Sequence, residues 1–378
     1  MKIPILTILT TAILLFSNCK TAKINSSQTA KSPVRGVWLT NVVSDALSTK
    51  ESLKAAVKLC SENGINTIFM VAWNRGRTLY PSKIMQDFIG ISMDEKYVGR
   101  DPLREVIDEA KKYNIQVIAW FEFGFSCDLE EKAGIIEGKE ILQKKPRWAA
   151  LDKSGKVVSK NGFRWLNGFD HEVQDFMLSL LVEAVKKYPD LAGIQGDDRL
   201  PAMPSEAGYD PLSISLFAKE NGGQMPPDDP KNPAWLTWRA NKMSDFMKRI
   251  HDTLKALKPS IIISMSPSIY PWAKEEYLQD WPRWVREGWV DMVCPQVYRY
   301  NIERYRGELD AMLGDQIPKD KQNIIAPGVL LRLGDYYPPI EFLELMIAEN
   351  RKRGIQGEVF FYFEGLKKFP DFFKKLYR

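Results

Sequence analysis

The sequence predicts a (β/α)8 TIM barrel with long loops on its C-terminal face. Three observations carry that expectation. From residue 34 onward, eight short apolar runs alternate with amphipathic runs of helical period, the pattern of a parallel sheet covered by helices. The Gly-rich phosphate turn that an open doubly wound sheet carries after an early strand is absent, since Arg35-Gly36-Val37-Trp38 lacks G-x-G-x-x-G spacing. The long connections, Trp73–Arg100, Phe123–Asp170, Asp198–Pro233 and Pro267–Pro282, all follow strands, whereas connections before strands are short. Loop length is thus gathered on the face where a barrel builds its site.

The chain opens with Lys2 and the apolar stretch Ile3–Phe16, which reads as a secretory signal. About 14 apolar residues are too few to span a bilayer as a helix. Ser17-Asn18-Cys19 resembles a bacterial lipoprotein signal, which implies a signal peptide over residues 1–18 and a lipid on Cys19. The protein would then sit in the cell envelope, held to a membrane through that lipid. Residues 19–33, rich in Ser, Thr, Lys and Ala, would be a flexible tether, and residues 34–378 the barrel domain.

Strands are expected at Val34–Thr40, Asn66–Ala72, Gln116–Glu122, Leu191–Asp197, Ile261–Met265, Val290–Val297, Ile324–Leu331 and Glu358–Phe363. The first helix is announced by the capping box Ser48-Thr-Lys-Glu51, with Leu53, Ala56, Val57 and Cys60 on one face and Gly64 past its end. The second begins with Asp101 as N-cap and Pro102 in its first turn. Further helical patterns cover residues 172–187, 234–257, 303–313 and 341–353.

Composition excludes several chemistries. The net charge is +5 from 53 basic and 48 acidic residues, with no Lys/Arg block interleaved with aromatics, which argues against a nucleic-acid partner. Only 2 His are present; His171 starts a helix and His251 lies within one, so neither a metal cluster nor a Ser-His-Asp triad is expected. Cys60 and Cys294 fall on core positions, Cys127 follows a strand end, and no disulfide framework is indicated. Hydrolysis by two carboxylates fits this inventory, since it requires no metal and no cofactor.

The acids that end strands are therefore the catalytic candidates. The fourth strand, Leu191-Ala-Gly-Ile-Gln-Gly-Asp197, runs into Asp198 and Arg199. Side chains alternate along a strand, so Gln195 and Asp197 share the inward side while Asp198 begins the loop. Asp197 is expected as nucleophile or base and Asp198 as a substrate-contacting or orienting carboxylate; the alternative is that Asp198-Arg199 forms only a surface ion pair. Glu122 ends Val117-Ile-Ala-Trp-Phe-Glu, an apolar setting that would raise its pKa as a general acid requires. Its alternative is a buried glutamate paired to Arg75 or Arg77. Glu364, after Phe360-Phe-Tyr-Phe, is the second candidate for the acid. A separation of ~5 Å between the two carboxyls implies retention, and ~6.5–9.5 Å inversion.

Aromatic residues at or just past strand ends, Trp38, Trp73, Trp120, Tyr270, Trp272 and Tyr298, suit a sugar-binding rim. Asn41, Asn74, Arg77, Asn161, Gln195 and Gln296 are the candidates for hydrogen bonds to sugar hydroxyls.

With those residues in place, Arg35-Gly-Val-Trp-Leu-Thr-Asn41, Leu79-Tyr-Pro-Ser82, Asp101-Pro-Leu103, Gly193-Ile-Gln-Gly-Asp-Asp198 and Pro295-Gln-Val-Tyr298 resemble glycosyl hydrolase-like family 10. The resemblance spans about residues 34 to 366 and implies a (β/α)8 envelope protein with glycoside hydrolase activity. It favours peptidoglycan glycan strands as the polysaccharide substrate. Ala192-Gly-Ile-Gln-Gly-Asp197 also resembles the strand-four pattern of barrel glycosidases, which carries the nucleophile role onto Asp197. This chain departs from that pattern at Ala192 and Gln195 and has no Glu at the end of its fifth strand. A non-catalytic glycan-binding lipoprotein using the same rim aromatics is the alternative from another class. An envelope amide hydrolase would need a metal or nucleophile that the sequence does not offer.

Overall fold

A computed structural model describes residues 32–129 and 139–377; the signal segment, Cys19 and the tether through residue 31 lie outside the described residues. Eight parallel strands form the sheet: β1 (Arg35–Leu39), β2 (Thr67–Asn74), β3 (Gln116–Phe121), β4 (Gly193–Gly196), β5 (Ile262–Met265), β6 (Met292–Val293), β7 (Gly328–Leu330) and β8 (Glu358–Phe361). Their spatial order is β6-β5-β4-β3-β2-β1-β8-β7. Parallel bridges Val293–Ile325 and Gln296–Gly328 join the two ends of that order and close the ring. All eight expected strands are present, and the barrel expectation holds.

Boundaries differ where local chemistry competes with the apolar pattern. β2 runs on to Asn74 because residues 73–74 pair antiparallel with Arg77–Thr78. β6 is cut to two residues, since Pro295 has no N–H to give the ladder. The first helix, Lys50–Glu62, starts one residue later than its expected box: Thr49 is the N-cap and Ser52, not Glu51, returns the bond. Asp101 caps Pro102–Lys111 as expected. Helices at His171–Lys187, Pro233–Leu257, Ile302–Ala311 and Ile340–Lys352 match the remaining patterns, while Lys83–Ile89, Pro211–Glu220, Trp272–Tyr277 and Trp281–Arg286 arise inside the long loops.

The barrel interior is packed by Trp38, whose ring meets Phe69, Trp120 and Phe361 at 5.8 to 6.3 Å. One polar chain crosses it. Trp38 Nε1 donates to Gln195 Oε1 at 2.7 Å, and Gln195 Nε2 donates to Ser264 Oγ at 2.8 Å. Gln195 thus ties β1 to β5 through the barrel axis, and a buried amide with both ends satisfied fixes one arrangement of the core. Cys60, Cys127 and Cys294 are buried in the core.

Candidate active site

The loops after β3 and β4 are braided at the C-terminal mouth. Phe123 N–H donates to Asp197 Oδ2 at 3.1 Å, and Phe125 N–H donates to the Arg199 carbonyl at 3.1 Å. Gly124 and Gly196 permit this approach: a Cβ on Gly124 would strike the Arg199 carbonyl, and one on Gly196 the Leu200 carbonyl. Gly124 also holds φ of 41°, and its neighbour Phe123 holds 64°, left-handed conformations that the surrounding bonds must maintain.

Glu122 sits directly after β3 and is 7% exposed. Its Oε2 accepts from Thr40 Oγ1 at 3.0 Å and from Asn74 Nδ2 at 2.6 Å, so the ends of β1 and β2 hold the acid of β3. Burial pushes its pKa from 4.5 up to about 7, against the two hydrogen bonds and the charges of Arg199 and Arg75. Asn74 Nδ2 also reaches Asn41 Oδ1 at 3.2 Å, which brings Asn41 to the same wall.

Asp197 is buried, with Oδ1 accepting from the Arg199 N–H at 2.8 Å and Oδ2 from Phe123. Burial and the neighbouring charge of Asp198 hold its carboxyl well above the usual range, outweighing Arg199 and the two amides. Each carboxylate oxygen has a second lone pair, so both still have acceptor capacity. Asp198 keeps 16% of its side chain exposed and lies 3.9 Å from the Arg199 guanidinium.

Arg199 is the residue sequence reasoning underrated. It is no surface partner: its guanidinium lies 4.4 Å over the Phe123 ring and 5.8 Å from that of Phe163, with 16% of its side chain exposed. Burial alone would lower its pKa, but the charges of Asp198, Asp197, Tyr277 and Glu122 outweigh burial and raise it. The signal available in sequence was its place two residues past a strand-end aspartate; what hid it was the reading of Asp198-Arg199 as an exposed pair. Tyr298, partly exposed at the mouth, reports the same convergence. Burial, then the charges of Asp198, Cys294, Asp197 and Glu122, hold its phenol well above the ordinary value.

A second wall extends from Asp198. Asn161 Nδ2 donates to Tyr277 Oη at 2.7 Å, and the exposed Trp272 ring packs 5.4 Å from that of Tyr277. Burial and Asp198 push Tyr277 up to about 12. Lys160 lies 4.8 Å over the Tyr277 ring and bonds Glu276 and Glu206, pinning the antiparallel pair Ser159–Lys160 and Phe163–Trp165 whose turn carries Asn161. Gln296, half-buried, donates to the Ser266 carbonyl at 3.0 Å at the β5–β6 edge of the mouth.

Several expected positions fall elsewhere. Trp38 and Gln195 belong to the barrel core beneath the mouth, at 1% and 0% exposure, because the inward side of a strand is filled before the mouth is reached. Trp73 is fully buried on the helix side, against Phe176 with its indole N–H on the Gly124 carbonyl, since the register shift after Val71 turns it outward. Trp120 is core as well. Arg77 is committed to Glu140 at 2.9 Å, so it pairs with neither Glu122 nor a hydroxyl. Glu364 does not end β8; it lies in the helical turn Phe363–Leu366, with Oε1 bonded to Ser44 and Oε2 to Lys367.

Comparison with known proteins agrees with this architecture. The family model described as Glycosyl hydrolase-like 10 matches residues 33–327. Glycosyl hydrolase DigH of Escherichia coli strain K12 is 26% identical over 308 residues, spanning 72% of this chain and 67% of that protein. Glycosyl hydrolase YngK of Bacillus subtilis strain 168 is 23% identical over 301 residues, spanning 70% of this chain and 54% of that protein. Among solved structures, the PgaB (BpsB) glycoside hydrolase domain from Bordetella bronchiseptica matches with a TM-score of 0.64 at 12% identity, over 91% of this chain and 98% of that one. The catalytic domain of beta-amylase from Paenibacillus polymyxa gives 0.61 at 10% identity, with the same coverage. At such identities the likeness is one of fold.

Proposed function

The chain belongs to the glycosyl hydrolase-like 10 family, and we propose that it is a glycoside hydrolase that cleaves an envelope polysaccharide, with peptidoglycan glycan strands as the favoured substrate. The observation that carries this reading is Glu122: a buried carboxyl with a pKa raised to about 7, beside the Asp197-Asp198-Arg199 group. Such an acid holds its proton near neutral pH and gives it to the departing glycosidic oxygen as the bond breaks. Asp197 acts in its ionised form as nucleophile or base toward the sugar or its attacking water, the form that Arg199 and the two backbone N–H groups favour against burial and Asp198, and Asp198 orients the substrate. Arg199 steadies the negative charge of the pair. Between the two acid candidates the reading takes Glu122, because it ends β3 beside the loop whose Phe123 N–H holds Asp197, whereas Glu364 lies in the helical turn after β8 and is ion-paired with Lys367. Trp272, Asn161 and Tyr298 supply the sugar contacts, with Asn41, Asn74 and Gln296 along the mouth.

The lipobox at Ser17-Asn18-Cys19 supports placing the protein in the envelope, where a lipid on Cys19 holds the barrel near its polymer. The test is release of new reducing ends from isolated peptidoglycan, native and stripped of stem peptides, and from common α- and β-glucans. Wild type should release them, and Asp197→Asn should lower the rate at least ~10³-fold while remaining folded. Full activity in Asp197→Asn overturns its role; glycan binding without any turnover by wild type overturns the enzyme.

A further inference from the structure

The arginines just past barrel strands are not all neutralised alike. Arg77 faces Glu140 at 2.9 Å, Arg299 faces Glu308 at 2.8 Å, and Arg199 faces Asp198 at 3.9 Å. Arg332, two residues after β7, differs. Its side-chain hydrogen bond runs from Nε to the Gly334 carbonyl at 3.1 Å, and among the described residues it forms no ion pair within 4.0 Å. Its guanidinium instead lies 5.7 Å from the ring of Tyr337 and 5.7 Å from that of Tyr362. Lys368, also without an ion pair among the described residues, lies 5.9 Å over the same Tyr337 ring. Glu364 does not fill the gap, since its oxygens are held by Ser44 and Lys367.

The position is built rather than loose. The Arg332 N–H donates to the Phe361 carbonyl at 3.1 Å, and Tyr362 Oη donates to the Val43 carbonyl at 3.2 Å, so β7, β8 and the loop after β1 meet here. A continuous aromatic path links it to the carboxylates. Tyr298, which senses Asp198, Asp197 and Glu122, stacks on Phe361 at 4.9 Å, and Phe361 adjoins Tyr362 at 5.3 Å. Beside the path, Tyr300 is 58% exposed and meets Tyr336 edge to face at 4.9 Å, on the hairpin that Arg332 begins.

An arginine whose guanidinium lies beside two aromatic rings, and whose outer N–H groups make no hydrogen bond or ion pair among the described residues, is matched to a planar anion that accepts two parallel hydrogen bonds. We propose that Arg332, supported by Lys368, forms a subsite for the carboxylate of an acidic sugar unit, on the β7–β8 side of the mouth, across the ring from the bond-cleaving carboxylates at the ends of β3 and β4. Such a carboxylate comes from a uronic acid or from a carboxylated ether substituent on a hexosamine. The subsite rests on the glycan-binding part of the function proposed above and selects within it.

The test compares matched pairs of oligosaccharides, one acidic and one with its carboxyls reduced to alcohols. An oligouronate pair and a pair made from peptide-stripped peptidoglycan strands separate the two sources. Calorimetric affinities are measured for wild type, Arg332→Met and Arg332→Lys, beside reducing-end release. Wild type should bind the acidic member of at least one pair on the order of tenfold more tightly. Arg332→Met should erase that preference without weakening binding of the reduced member, and Arg332→Lys should keep part of it. Equal affinity for both members of both pairs in wild type, or an undiminished preference in Arg332→Met, overturns the subsite. If Arg332→Met melts abnormally, a preference in Arg332→Lys equal to that of wild type overturns the bidentate reading. A preference lost in Arg332→Met with no turnover by wild type keeps the subsite and rejects the hydrolase; turnover with indifferent binding does the reverse.

Discussion

Replacing Glu122 with glutamine removes a buried ionisable group without changing its shape, and the consequence for stability must depend on pH. In the folded protein the carboxyl titrates near 7, against an ordinary value of 4.5. Below pH 4.5 both folded and unfolded chains carry the proton and no difference arises. Between 4.5 and 7 the unfolded chain releases its proton while the folded one retains it, so stability falls as pH rises. Above 7 the full penalty is in place. At 1.36 kcal/mol per tenfold change in proton affinity, the rise amounts to about 3 kcal/mol. Glu122→Gln escapes that penalty, so its unfolding free energy relative to wild type should improve by about 3 kcal/mol between pH ~4 and pH ~8. Urea unfolding at successive pH values measures the gap. A gap that stays flat, or closes with rising pH, refutes the burial argument and removes the physical basis for Glu122 as an acid. The same substitution should lower kcat by ~10²-fold or more, because glutamine has no acidic proton to give.

Two further perturbations read the site from its edges. Thr40→Val deletes the hydroxyl that stabilises ionised Glu122, a bond of about 1.5–3 kcal/mol when the acceptor is charged. The alkaline limb of the kcat/KM profile should move up by about one pH unit or more, and a limb that stays or moves down contradicts the assignment. Trp272→Ala removes the exposed ring beside Tyr277 and should raise KM about two- to tenfold while kcat and the melting temperature hold; a loss confined to kcat would show that the ring is no sugar platform.

The carboxylates illustrate how far a linear pattern reaches. Glu122 and Asp197 were legible because each closes an apolar run, and a charge at the end of a buried strand has little other place to go than the mouth. Their surroundings were not. Thr40 lies 82 positions from Glu122, and Asn74 lies 48 away, so neither hydrogen bond has a local signature. Arg199 looked like half of a surface pair until the loop after β3 covered it with Phe123 and Phe163. Glu364 looked like a strand end, but a helical turn begins at Phe363 and changes where its carboxyl points.

Sequence by itself determined the barrel. Apolar runs of strand length alternating with amphipathic helices admit few layered packings, and capping residues such as Asp101 punctuate them locally. It also marked Glu122 and Asp197 as acids that close apolar strands. Tertiary structure alone decided which side chains remain free to act. Trp38, Trp73 and Gln195 were consumed by the core, and Arg77 by Glu140, whereas Arg332 lies beside two rings with no ion pair among the described residues. The physical reason is that periodicity fixes the face a side chain takes within its own element. Whether that face meets packed protein, an opposite charge or open solvent depends on elements brought alongside only when the ring closes.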